Sequence, residues 1–160
     1  MAEVVSMPGG EEQWSISDAV GPRFDNQFDD VVLVQSLLKI FLTSPDITSQ
    51  LPASDLDIID QIFTATLKSG GKFSDGIYGS NTRAAVGILE RFIGSPVHDG
   101  VIRPIFERDQ MGRLSGRKGT KMRELNDFWD ASAVPANGGS KKESGRHLLS
   151  PRMFFVLYQD

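Results

Sequence analysis

The chain has 160 residues, a length for one domain that buries its own core without covalent staples. Hydrophobic residues make up 39% and charged residues 24%, and the formal net charge of −4 argues against a nucleic-acid partner. The lack of cysteine excludes disulfides, thiolate zinc sites and a cysteine nucleophile, and no run nears the roughly 20 apolar residues that membrane insertion needs.

Residues 1–26 read as a polar N-terminal arm rich in Gly and Pro, with Trp14 and Ile16 as isolated apolar anchors. They carry neither a basic nor an apolar leader segment, so no secretion signal is expected in this chain. The first helix is predicted over 29–42, with Asp29 or Asp30 as its cap. Val31, Val34, Leu38 and Phe41 fall on one face at helical spacing, with Leu37 beside them, and Ser44-Pro45 ends the helix. A second helix is predicted over 55–67, with a weak capping box of Ser54 and Asp57. Its apolar face is Leu56, Ile59, Ile62, Phe63 and Leu67, and Ser69-Gly70-Gly71 stops it.

A loop over 72–79 leads to a third helix over 81–93, capped by Ser80 and buried through Ala84, Ala85, Ile88, Leu89 and Phe92. A second Asp-Gly loop follows at Asp99-Gly100. Residues 113–123 hold Arg113, Arg117, Lys118, Lys121 and Arg123 with no acidic residue, which reads as a solvated basic loop or as an anion-facing one. A short helix over 121–130 places Met122, Leu125 and Trp129 on one side. Residues 131–146 read as a linker-like loop. The apolar run Met153-Phe154-Phe155-Val156-Leu157-Tyr158 reads as a helix opened by Ser150-Pro151, with a buried strand as the alternative.

The stretch Asp75-Gly76-Ile77-Tyr78-Gly79-Ser80-Asn81-Thr82 has its own logic. An aspartate closes a tight turn by accepting backbone N–H groups downstream, and glycines supply conformations that other residues resist. Ile77 is expected to point into the core and Tyr78 away from it. The result is a rigid loop against a helix start, where free N–H groups favour anionic or carbonyl oxygens.

With Val34-Gln35 and Leu37-Leu38 before it, and Ala84-Ala85-Val86 through Phe92 after it, this loop resembles the peptidoglycan-binding domain family of bacterial cell-wall proteins. Asp99-Gly100-Val101-Ile102-Arg103-Pro104 resembles the second Asp-Gly repeat of that family, and Leu125-Asn126 its closing pair. The resemblance runs discontinuously over 27–126. An extra helix lies between Leu42 and Asp75, and Glu90-Arg91-Phe92 stands where Phe-Gln is common.

The resemblance implies an all-α fold: a compact three-helix bundle at 27–126, with an extra helix, the arm at 1–26 and a C-terminal extension at 127–160 packing on the domain. It implies a noncatalytic module that binds peptidoglycan or a muropeptide at the bacterial cell envelope. Asp75, Tyr78, Asn81 and Arg83 are its expected ligand contacts: Asp75 as an acceptor, Tyr78 as a stacking aromatic and Arg83 as a carboxylate partner. The alternative is a protein-interaction scaffold, or a secretion-system cargo or adaptor, that keeps the fold and binds a protein; in that case the chain is expected in the cytoplasm.

No cofactor, metal or catalytic residue is expected. His98 and His147 do not form a ligand-spaced pair. Glu90 with Asp75 or Glu107 is the least unsuitable carboxylate pair, but among 21 acidic residues some pair is inevitable. An enzyme of cell-wall turnover would need more chain than remains beside a binding unit of this size.

Overall fold

The computed structural model describes residues 2–6, 12–68, 70–108, 110–111, 114–117 and 119–133. The predicted linker beyond Ala133, the apolar run at 153–158 and His147 lie outside these residues, as do Arg113 and Lys118 of the basic run. In chain order the elements are β1 (Glu3–Ser6), β2 (Glu12–Ser15), α1 (Phe28–Thr43), α2 (Pro45–Thr48) and α3 (Ala53–Lys68). They continue with α4 (Ser80–Phe92), β3 (Phe106–Arg108), β4 (Leu114–Arg117) and α5 (Thr120–Ala133). The fold is mainly helical, with two antiparallel two-stranded sheets that the helical reading did not anticipate.

Helix α1 is the axis of the core. Val31, Leu33, Val34, Leu37, Leu38, Phe41 and Leu42 are all buried, so the helix is apolar on almost every side, as a helix enclosed by its neighbours must be. It packs against α4 and α5, while α3 packs on α4. Phe41 meets Phe92 of α4 and Phe128 of α5 with ring centroids 5.4 and 4.9 Å apart. Met122, Leu125 and Trp129 form the buried side of α5, as their spacing predicts, and α5 continues unbroken past position 126.

The N-terminal arm is a built part of this core. Val4 pairs with Trp14 across β1 and β2. Trp14 and Ile16 are fully buried, and the Trp14 indole meets Trp129 edge-on at 5.6 Å. The side-chain amide of Asn126 grips the Trp14 backbone from both sides, accepting its N–H at 2.7 Å and donating to its carbonyl at 2.9 Å.

Several local expectations are corrected. Asp29 and Asp30 do not cap α1; the helix starts at Phe28 after Gln27, without a side-chain cap. Asp30 is buried instead and accepts from the Ser17 hydroxyl at 2.8 Å and from the Ser17 and Asp18 N–H groups at 3.3 Å, tying the chain after β2 to α1. Gly79, rather than Ser80, occupies the cap of α4. The apolar stripe of α3 is only partly used: Ile62 is buried, Leu56 is exposed, and Leu67 is 78% exposed. This helix packs mainly on α4, and most of its residues are exposed. Residues 114–117, expected in the basic loop at 113–123, form β4.

Candidate functional site

The Asp75-Gly76 loop is organised by a residue forty positions earlier. Gln35 is buried in the middle of α1, and its amide nitrogen shares two N–H groups among Asp75 Oδ1 at 2.9 Å, the Ile77 carbonyl at 3.0 Å and Thr82 Oγ1 at 2.9 Å. Its amide oxygen accepts the Gly76 N–H at 2.9 Å. Asp75 Oδ1 also accepts the Ile77 N–H at 2.9 Å, the turn closure expected of it. A buried polar side chain must satisfy its hydrogen-bonding groups, and Gln35 does so by holding the loop to the start of α4. Gly76 sits at φ +77°, and a Cβ there would lie 2.2 Å from the Phe28 ring, so both backbone and space demand glycine.

The second loop is built the same way with charged residues. Asp99 Oδ1 accepts the Val101 N–H at 3.0 Å, and Gly100 sits at φ +70°. The Gly100 N–H donates to Glu90 Oε1 at 2.9 Å, as the Gly76 N–H does to Gln35. Lys121 of α5 is buried beneath this loop and donates to Glu90, to Asp99 Oδ1 at 2.8 Å and to the Val101 carbonyl at 3.0 Å. Arg103 reaches Asp99 Oδ2 at 2.8 Å. Partial burial opposes ionisation of Asp99, but the bonds from Lys121, Arg103 and the Val101 N–H outweigh it and hold its carboxyl well below the usual carboxylate range. Lys121 therefore belongs to a buried ion network, not to the solvated run in which its sequence neighbours placed it.

The four expected contact residues divide between these loops. Asp75 and Asn81 line a pocket of about 120 Å³ with Gln35, Lys72, Phe73, Ser80 and Thr82. Tyr78 and Arg83 turn the other way, towards Gly100. The orientations expected inside the loop are reversed. Ile77 is 67% exposed, while Tyr78 packs partly buried against the core and its hydroxyl donates to the Gly100 carbonyl. Burial pushes the Tyr78 phenol up to about 12, with Glu90 and Asp99 acting in the same direction and Arg83 against it. Tyr78 is thus a bridge between loops and not an open sugar platform.

The residues that hold the site, Gln35, Glu90 and Lys121, were not among those expected to form it. Gln35 carried a signal: with Ser36 it interrupts the apolar run Val31 to Leu38. Glu90 and Lys121 lie 31 positions apart and nothing local pairs them. His98 Nδ1 lies 3.8 Å from Glu90 Oε2, and among the described residues no three His, Cys, Asp or Glu side chains converge as a metal site would require. Trp129 is fully buried. No helix among the described residues is long and apolar enough to cross a membrane.

Together these features define a mainly helical domain with two braced Asp-Gly loops and a small polar pocket at the first of them. The chain matches no family model, and no similar curated protein or solved structure is found.

Proposed function

We propose that this chain is a noncatalytic cell-wall-binding module whose α1, α4 and α5 correspond to the three-helix unit of the peptidoglycan-binding domains, and which takes peptidoglycan or a muropeptide at the Asp75–Thr82 loop. One observation carries this reading. The loop is held by the side-chain amide of Gln35, and Asp75, Ser80, Asn81 and the cation Lys72 line one pocket beside it. A loop held in place beforehand lowers the ordering cost of binding sugar and peptide amides, and a pocket this small gives modest affinity. Asp75 is already engaged by Gln35 and the Ile77 N–H, so Asn81 and Lys72 are the free-standing contacts to test.

Retention on insoluble peptidoglycan measures this. Wild type is expected to be held, with Asn81→Ala and Lys72→Ala each weaker by several-fold. Wild type held no better than an unrelated acidic protein sinks the proposal. Zymography on cell-wall substrate tests the noncatalytic part, and a clearing zone would overturn it.

A second reading is a protein-interaction scaffold. The exposure of Ile77 on the loop and of Phe28 at the start of α1, whose ring lies against Gly76, favours it, because the two are neighbouring apolar groups at the surface. Recovery of a partner by wild type but not by Ile77→Ser, with peptidoglycan retention unchanged, would decide for it.

A further inference from the structure

The two Asp-Gly loops repeat one another beyond their turns. After each glycine comes an aliphatic residue, Ile77 or Val101. After each loop a glycine opens a helix: the carbonyl of Gly79 accepts the Arg83 N–H at 3.0 Å, and that of Gly119 accepts the Arg123 N–H at 3.0 Å. In the first unit only Ile77 and Tyr78 separate the glycines. In the second, the β3–β4 hairpin intervenes between Gly100 and Gly119. That excursion closes on itself, because a Cβ on Gly119 would lie 2.4 Å from the Pro104 carbonyl oxygen. The hairpin therefore returns the chain to its point of departure.

A cavity occupies the same place in both units. The first touches Ile77, Gly79, Ser80 and Asn81. The second, of about 220 Å³, touches Val101, Gly119, Thr120 and Lys121, the corresponding positions one for one. Its further lining differs in character. Pro96, Val97 and Val101 give an apolar wall, and Arg103 stands at its edge with a side chain 45% exposed. Lys121 is committed to Glu90, Asp99 and the Val101 carbonyl, whereas Arg103 gives one amino group to Asp99. A guanidinium has five N–H donors, so a second carboxylate fits on its other edge. Glu124, also on the lining, disfavours a ligand of high negative charge. The volume is below the roughly 300–1,000 Å³ of drug-sized sites and suits a terminal fragment.

We propose that this second cavity is a ligand site quasi-equivalent to the first, taking the single carboxylate end of a short aliphatic peptide on Arg103 and the Val97–Val101 wall. The chemistry of this cavity is its own, but its place in a wall-binding protein rests on the function proposed above. Two sites on one rigid domain make the protein bivalent towards a repeating polymer, which raises retention without strengthening either contact.

Backbone-amide NMR titration of the protein with the dipeptide Ala-Ala, as free acid and as C-terminal amide, tests this. The free acid is expected to shift Val97, Val101 and Thr120, with the amide weaker by about tenfold through loss of the charge-assisted bond. Arg103→Gln and Val97→Asp, both at exposed side chains, should each abolish these shifts while leaving the rest of the spectrum in place. Free acid and amide shifting these residues equally overturns the carboxylate assignment. Shifts confined to Gly79, Ser80 and Asn81 overturn the second site and leave the function proposed above standing. Shifts at the second cavity, with no retention on peptidoglycan, overturn the function and keep the site. No shift at either cavity overturns this proposal.

Discussion

The Tyr78 hydroxyl donates to the carbonyl of Gly100 and so joins two loops that lie 22 positions apart. Each loop is separately braced from below, the first by Gln35 and the second by Glu90 with Lys121. The tyrosine makes one surface of them.

Replacing Tyr78 with Phe removes this bond and keeps the ring. The expected loss of stability is about 1 kcal/mol, the net worth of a typical hydrogen bond, measured by urea unfolding. Ionisation gives a second measure. The folded phenol is raised above its unfolded value of about 10, so its contribution is whole below that pH and is lost as pH rises through about 12. An ultraviolet titration should show a late tyrosine step that Tyr78→Phe abolishes.

Gln35→Leu should cost more than Tyr78→Phe, about 2–4 kcal/mol. It takes away the acceptor of the Gly76 N–H, the buried bond to Thr82 and one bond each to the Ile77 carbonyl and Asp75, and a buried bond left unmade costs more than a made one contributes. Amide exchange at Gly76 and Ile77 should accelerate in this variant more than exchange in α5. Equal acceleration throughout would mean that Gln35 does not organise the loop.

Gly76→Ala meets two obstacles, a left-handed backbone and the Phe28 ring. The backbone part is about 1–2 kcal/mol. Phe28 is half-exposed and can swing away, so Gly76→Ala should cost less in a Phe28→Ala background. Additive losses in that double-mutant cycle would show that the ring offers no resistance.

The Lys121 network should make the fold acid-sensitive. Asp99 is depressed in the folded state, so its contribution is present above the unfolded carboxylate value of about 4 and is lost as pH falls below it. Asp99→Asn should flatten the acid limb of a stability-versus-pH curve. Lys121→Ala should cost about 3–5 kcal/mol by leaving Glu90 buried without its cation, whereas Arg103→Ala, at an exposed pair, should cost under about 1 kcal/mol.

Among the described residues, sequence alone located every helix but the short α2, to within one residue for α1 and α4, two for α3 and three for α5, because the period of their apolar residues follows from helix geometry. It also located both Asp-Gly turns, since an aspartate oxygen and a glycine backbone act within a few residues of themselves. Tertiary structure decided the rest. The strands β1 and β2 are short, and the burial of Trp14 against Trp129 and the grip of Asn126 tie them into the core. The outward turn of Ile77 and inward turn of Tyr78 depend on Gly100, which no local pattern places beside them. Lys121 sat in a run of basic residues, and its burial became possible because α4 supplied Glu90 and the second loop supplied Asp99. Periodicity and turn chemistry are local and legible in the chain; which buried polar group finds which partner is settled by packing.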